Sequence, residues 1–150
     1  MTTIKLTTHI KAPIEVVFNI ARDISEHELS NKHTHEKAIA GITSGKIGLG
    51  ETVTWRAKHF GIYFQHTSII SEFNSPTYFV DKMVKGVFKS MLHEHIFEEI
   101  NNETKMTDVF TYEVPLGRIG KLFDTLLLRS YLTRFLLNRN RHLQQKATLT

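Results

Sequence analysis

The stretch from Pro115 to Gln145, PLGRIGKLFDTLLLRSYLTRFLLNRNRHLQQ, constrains this chain more than any other. Past Pro115, Gly117 and Gly120 it holds no helix breaker, and Ile119, Leu122, Phe123, Leu126, Leu127, Tyr131, Phe135 and Leu136 recur at spacings of three and four. That is the pattern of a long amphipathic helix. About 27 residues rising 1.5 Å each run roughly 40 Å, more than one face of a small domain needs. The helix must lie against something wide, and the rest of the chain, which alternates like strands, is the only material for it. The pattern predicts an α+β chain in which a curved sheet wraps one C-terminal helix and leaves a space between the two.

Before that helix the elements follow in order. Ile4, Leu6, Thr8 and Ile10 alternate with polar residues as a half-buried first strand. Ala12-Pro13-Ile14-Glu15 starts a short helix with Pro13 in its first turn, and Asp23 with Glu26 has capping-box spacing for a second. His-rich polar residues 31–36 predict a loop, followed by a strand near Lys37 to Ile42. Gly41 to Glu51 lacks the spacing of a phosphate loop and reads instead as a turn using Gly45, Gly48 and Gly50. Val53, Trp55, Ala57 and His59 then alternate with Thr52, Thr54, Arg56 and Lys58, the cleanest period-two run in the chain. Phe60-Gly61 makes a tight reversal into a strand over Ile62 to Phe73 whose two faces are too alike to orient. Strands over Thr77 to Val84, Phe88 to Glu98 and Lys105 to Val114 follow, the last two joined by a two-residue Asn101-Asn102 turn.

Composition bounds the function. With 41% hydrophobic and 23% charged residues in 150, residues 1–150 read as one domain of ordinary globular make-up. The absence of cysteine excludes disulfides, thiolate metal sites and a cysteine nucleophile. MTTIKLTTHIKAP has no signal-peptide pattern and no run is long and apolar enough to span a bilayer, so a cytoplasmic protein without integral membrane association is expected. The basic residues of the last helix, Arg118, Lys121, Arg129, Arg134, Arg139, Arg141 and Lys146, are interleaved with apolar ones and read as a solvated outer face rather than a nucleic-acid surface. No cofactor is expected, and the reading leaves room for a homodimer.

The residues that could carry chemistry cluster on the last hairpin. A turn at Asn101-Asn102 pairs residues whose numbers sum to 203, so His95 faces Asp108, Phe97 faces Met106 and His93 faces Phe110. Met91, His93, His95 and Phe97 share one face, and Met106, Asp108, Phe110 and Tyr112 continue it. An aspartate among large apolar residues needs a partner, and His95 is the expected one. Three readings fit. The pair reads as a polar couple satisfying itself in the sheet, as the polar part of a small-molecule site, or as an acid/base dyad with His95 and Asp108 catalytic. The sequence places no nucleophile or oxyanion device nearby, which favours binding over catalysis. The predicted ligand-binding set is Trp55 and His59, then Met91, His93, His95 and Phe97, then Asp108, Phe110 and Tyr112, with Phe123 and Leu127 from the helix. His93 and His95 could also share a zinc ion with Asp108 or His59, but His33-Thr34-His35 repeats the spacing in a predicted loop and no metal is expected.

APIEVVF, RDISEHE, AGITSGKIGLGETVTWRAKHFGI, MVKGVFKSMLHEHIFEE and MTDVFTYEVPLGRIGKLFD together resemble the ligand-binding SRPBCC proteins of the START superfamily, in a bacterial branch often labelled polyketide-cyclase-like. The resemblance covers nearly the whole chain. It implies a helix-grip fold: a seven-stranded curved antiparallel sheet around a long C-terminal helix, with two short helices after the first strand. It also implies a hydrophobic or amphipathic small-molecule ligand in the cavity between them, with Trp55, His59, His93, His95 and Asp108 on the concave face. The alternatives it leaves are a cyclase, dehydratase or hydrolase, and an interaction module acting through the basic helix.

Overall fold

Alternation in the N-terminal two thirds of the chain becomes one antiparallel sheet of seven strands, in the order β1-β7-β6-β5-β4-β3-β2. The structure is a computed structural model and describes residues 1–149. Strand β1 (Thr2–Ile10) leads into helices α1 (Ile14–Ala21) and α2 (Ile24–Ser30) and a single 3-10 turn at Lys32–Thr34. Strands β2 (Lys37–Gly41), β3 (Thr52–His59), β4 (Ile62–Asn74), β5 (Tyr78–Lys85), β6 (Ser90–Ile100) and β7 (Glu103–Glu113) follow as a meander, and β7 closes against β1. The C-terminal helix runs over 117–148 as α3 (Gly117–Phe123), a π-helical turn (Asp124–Leu128) and α4 (Arg129–Thr148).

Local chemistry fixes the joints. Asn101 and Asn102 both adopt positive φ, 53° and 64°, the conformation a two-residue hairpin turn demands, and the register of β6 against β7 follows from it. Phe60 and Gly61 do the same between β3 and β4. The Asp23 carboxylate caps α2 by accepting from the Glu26 amide at 3.2 Å. The reciprocal half of the capping box is not formed: Glu26 turns instead to α4, where it meets His142 at 2.9 Å and Lys146 at 3.5 Å. Gly120 is required where α3 begins, because a Cβ there would sit 1.8 Å from the Pro115 carbonyl oxygen.

The apolar interior forms two clusters. The first lies under α1 and centres on Phe18, whose ring meets Phe73, Phe79 and Phe97 edge-on at 5.4, 5.5 and 5.3 Å, with Trp55, Met106, Leu143 and Ala147 around it. The second gathers Ile4, Met91, Phe110, Tyr112 and Leu136, with Met83, Phe88, Leu128 and Leu132 packed on it. The last helix therefore serves both, Leu136 in one and Leu143 and Ala147 in the other.

The helix does not use the face its periodicity predicts. Of the expected stripe, Leu136 is buried, Tyr131 and Phe135 are half-buried, and Ile119, Leu122, Phe123, Leu126 and Leu127 are exposed, Ile119 to 76% and Leu126 to 66%. The sheet-facing line runs instead through Gly120, Asp124, Leu128, Leu132, Leu136 and Asn140, in steps of four. The π turn explains this, since its i→i+5 bonds hold an extra residue and rotate the later turns relative to a uniform 3.6-residue count. Nor are all the basic residues solvated: Arg139 is 3% exposed.

Removing the Phe18 ring should leave a cavity at the centre of the first cluster, so Phe18→Ala is expected to lower the unfolding free energy by about 3–5 kcal/mol. Leu126→Ala, at an exposed position, should stay within about 0.5 kcal/mol. Urea denaturation of the two variants checks the pair, and equal losses would contradict this division of the helix.

Candidate functional site: a polar layer between two apolar clusters

On each element that crosses the middle of the interior, the inward position between the two clusters is polar. Along β6 the order is Met91, His93, His95, Phe97; along β7 it is Tyr112, Phe110, Asp108, Met106; along β5 it is Met83, Asp81, Phe79. On α4, Arg139 and Asn140 lie between Leu136 and Leu143, and on β1 Thr8 lies between Leu6 and Ile10. Period-two alternation in the strands and steps of three and four in the helix bring these side chains to one level.

Asp108 is the hub and has no exposed surface. Its Oδ1 faces His93 Nε2 at 2.8 Å and accepts from Arg139 Nη1 at 3.4 Å, while Oδ2 accepts from Asn140 Nδ2 at 2.8 Å. Arg139 also donates to the Asn140 side chain at 3.1 Å and to the Ala21 carbonyl at 3.4 Å, and Asn140 donates to Thr8 Oγ1 at 3.2 Å. Around the corner of the layer, His95 Nε2 lies 2.7 Å from Asp81 Oδ2, and the rings of His93 and His95 stack at 3.8 Å.

Charge settles the protonation of this group. Burial alone would raise the Asp108 carboxyl, but the hydrogen bond and charge of His93 and the Arg139 guanidinium outweigh it and hold Asp108 well below the usual carboxylate range. Asp81 is held down in the same way, burial being overcome by the bond from His95 and the neighbouring imidazoles. His95 moves the other way: burial, then the adjacent His93 and Arg139, press its pKa down to about 4 despite Asp81. At neutral pH His95 is therefore an uncharged ring, donating through Nε2 to Asp81 and turning its Nδ1 lone pair to Arg139 Nη2 at 3.5 Å.

The structure brings His93, His95 and Asp108 together, with His95 opposite Asp108 in the ladder as the turn requires. The closest imidazole to Asp108 is nevertheless His93, the neighbour two residues on, because His95 leans toward Asp81 and its Nδ1 stays 3.5 Å from Asp108. The remaining expected residues lie elsewhere. Trp55 sits in the first cluster with its ring 4.3 Å from His27, and His59 bonds Tyr131 Oη at 2.5 Å. Phe97 belongs to the first cluster, Met91, Phe110 and Tyr112 to the second, and Phe123 and Leu127 are exposed. Tyr112 has its own buried partner, donating to Asp124 of the π turn, which also accepts from Thr2; burial and this carboxylate raise the Tyr112 pKa.

Asp81, Arg139, Asn140 and Asp124 lie outside the expected set. Two of them left a trace: Phe79-Asp81-Met83 puts the aspartate between inward apolar neighbours, and Arg139 stands three residues from Leu136 and four from Leu143. The helix also does not stand clear of the sheet at this level, since Arg139 and Asn140 reach across to Asp108. Two hollows lie elsewhere, one of about 510 Å³ between Thr2, Tyr112 and the start of α3, the other of about 660 Å³ between α2 and Lys37, Arg56 and Tyr63. Neither is lined by His93, His95 or Asp108. Among the described residues no helix is long and apolar enough to cross a membrane.

No protein-family model matches the sequence, and no curated protein matches it significantly. Solved structures do match in shape. TTHA0849 from Thermus thermophilus superposes with a TM-score of 0.76 at 16% identity, over 97% of this chain and 99% of that one. A START superfamily protein from Mycobacterium smegmatis gives 0.74 at 13% identity over 99% of both chains. The fold is that of the START superfamily. Plant proteins share it too, among them the ginseng major latex-like protein 151 from Panax ginseng, with a TM-score of 0.67 at 17% identity over 97% of both chains. The START-type helix-grip expected from the sequence, with its seven strands and two short helices after the first, is what the chain forms.

The depressed His95 pKa carries a stability consequence. Unfolded, His95 titrates near 6.5 and folded near 4, so between those values the unfolded chain holds more protons and stability falls with falling pH, by up to about 3 kcal/mol. Above pH 6.5 that contribution is complete. Urea melts between pH 7.5 and 4.5 should show the decline in the wild type and a flatter profile in His95→Gln; an equal slope in both would refute the assignment.

Proposed function

We propose that the protein binds a hydrophobic or amphipathic small molecule at the open end of the grip. The observation that carries this reading is the apolar surface left uncovered where the helix begins: Leu116, Ile119, Leu122, Phe123, Leu126 and Leu127 are all exposed. Phe60, at the tip of the β3-β4 hairpin, stands 5.7 Å from Phe123 and 4.6 Å from Tyr131, so hairpin tip and helix form one aromatic edge. A contiguous apolar patch of this kind on a folded chain marks a place where something apolar is received. The π turn lies within it, and such turns are frequent at functional sites. Below the patch come the second apolar cluster and then the polar layer, so an amphipathic guest would meet apolar side chains first and Asp81, the layer's solvent-reaching carboxylate at 22% accessibility, at its polar end.

A neutral fluorescent apolar probe, Nile red, tests this. The wild type should bind it with little change between low and high salt, as apolar contact requires and a basic docking surface would not. The double substitution Phe123→Asp with Leu127→Asp should weaken binding at least about tenfold, a loss of roughly 1.4 kcal/mol or more, with the thermal midpoint unchanged because both side chains are exposed. Undiminished binding in that variant would overturn the reading.

A further inference from the structure

Two imidazoles and a carboxylate converge within the polar layer. His93 and His95 stand two apart on β6 and project to one face, and Asp81 on β5 is the register partner of His93. The Asp81 Oδ2 atom is 2.7 Å from Nε2 of His95 and 3.9 Å from Nδ1 of His93, and one ligand atom of each residue lies within 4.8 Å of the others. A tetrahedral ion held at about 2.0–2.1 Å needs ligand atoms roughly 3.4 Å apart, so these three can close on one ion through shifts well under about 1 Å.

The far edge of the His93 ring is arranged as that of a metal-bound histidine is, bonded to a buried carboxylate. Nε2 of His93 is 2.8 Å and Nδ1 of His95 is 3.5 Å from the same oxygen, Oδ1 of Asp108. A carboxylate behind a ligating histidine fixes its tautomer and raises its basicity. Asp108 is itself held by Asn140 and Arg139, so this outer support is rigid. In the tautomer that donates from Nε2 to Asp108, His93 presents its Nδ1 lone pair to the Asp81 carboxylate at 3.9 Å, beyond hydrogen-bond reach. Two acceptors facing each other are reconciled by a cation between them. The layer's permanent charges agree, since two carboxylates, Asp81 and Asp108, stand against one guanidinium, Arg139.

We propose that Asp81, His93 and His95 form a binding site for a divalent first-row transition metal of the zinc class, with an open coordination position on the side where Asp81 reaches solvent. Imidazole and carboxylate donors in this number suit such ions, and calcium or magnesium would ask for more oxygen ligands. In the loaded site His95 presents Nε2 to the ion and its proton moves to Nδ1, on the Asp108 side, while Arg139 Nη2 keeps the Ala21 carbonyl as its acceptor. His66 on β4 lies within electrostatic reach of Asp81 and is a further imidazole beside the set.

Zinc titrated calorimetrically into chelator-dialysed protein, with cobalt(II) absorption as a report of tetrahedral geometry, tests the site. The wild type should take up one zinc per chain and gain thermal stability with it. Asp81→Asn keeps an oxygen to accept from His95, so it should fold, and it should lose more than about 100-fold in affinity, beyond the 10–100-fold that losing an outer partner causes. A His33→Gln, His35→Gln variant, altered in the exposed pair outside the layer, should bind as the wild type does. No uptake by the wild type, or equal uptake by Asp81→Asn, would overturn the proposal. Nile red binding to the metal-free protein is a separate readout, so either function can fail without the other.

Discussion

A single enclosed carboxylate governs how the two layers of this protein meet. Asp108 has no water to solvate its charge, and a buried charge left without partners costs several kcal/mol. Its partners come from opposite sides, His93 from the neighbouring strand and Arg139 and Asn140 from the C-terminal helix. Those bonds hold α4 at one height along the sheet. Once Arg139 and Asn140 are level with Asp108, Leu136 can only fall into one apolar cluster and Leu143 into the other. Hydrophobic burial supplies most of the driving force for the contact, but it is non-directional. The polar layer is what gives it a register.

This arrangement also separates two kinds of surface along the helix axis. At one end, α1, α2 and the salt links from Glu26 to His142 and Lys146 close the grip. At the other, the helix from its start through the π turn carries uncovered leucines and phenylalanine. A START-type fold is a scaffold on which many chemistries can be grafted. The middle of this chain is filled by imidazoles, carboxylates and a guanidinium, where a continuous apolar lining would be the simpler choice.

Local signals in the sequence located most elements. Two asparagines fixed the β6-β7 register to the residue, Phe60-Gly61 fixed the next longest hairpin, and Asp23 placed the start of α2. These features depend on neighbours within a few positions, which is why they can be read. The helix face could not, because a π turn has no strong sequence signature and displaces the stripe that a uniform period predicts. Arg139 read as a surface residue because arginine usually is one. Its burial depends on a carboxylate 31 positions earlier in the chain, a pairing that composition and spacing do not encode. The polar layer was thus half visible: the two histidines and Asp108 came from alternation, whereas the groups that complete the layer came from tertiary packing.

A core divided by a charged stratum has a dynamic corollary. Each apolar cluster is a contiguous packed unit, and the two are joined across the middle by bonds that depend on geometry rather than on area. The segment from α3 through the π turn adds little to either unit, since its apolar side chains face outward and its inward anchors are Gly120, Asp124 and Leu128. Fewer buried side chains tie it down than tie β6 and β7, and its amide hydrogens should exchange with solvent ahead of theirs. The rod is clamped along α4 and more lightly held at its start, beside the apolar patch from Leu116 to Leu127.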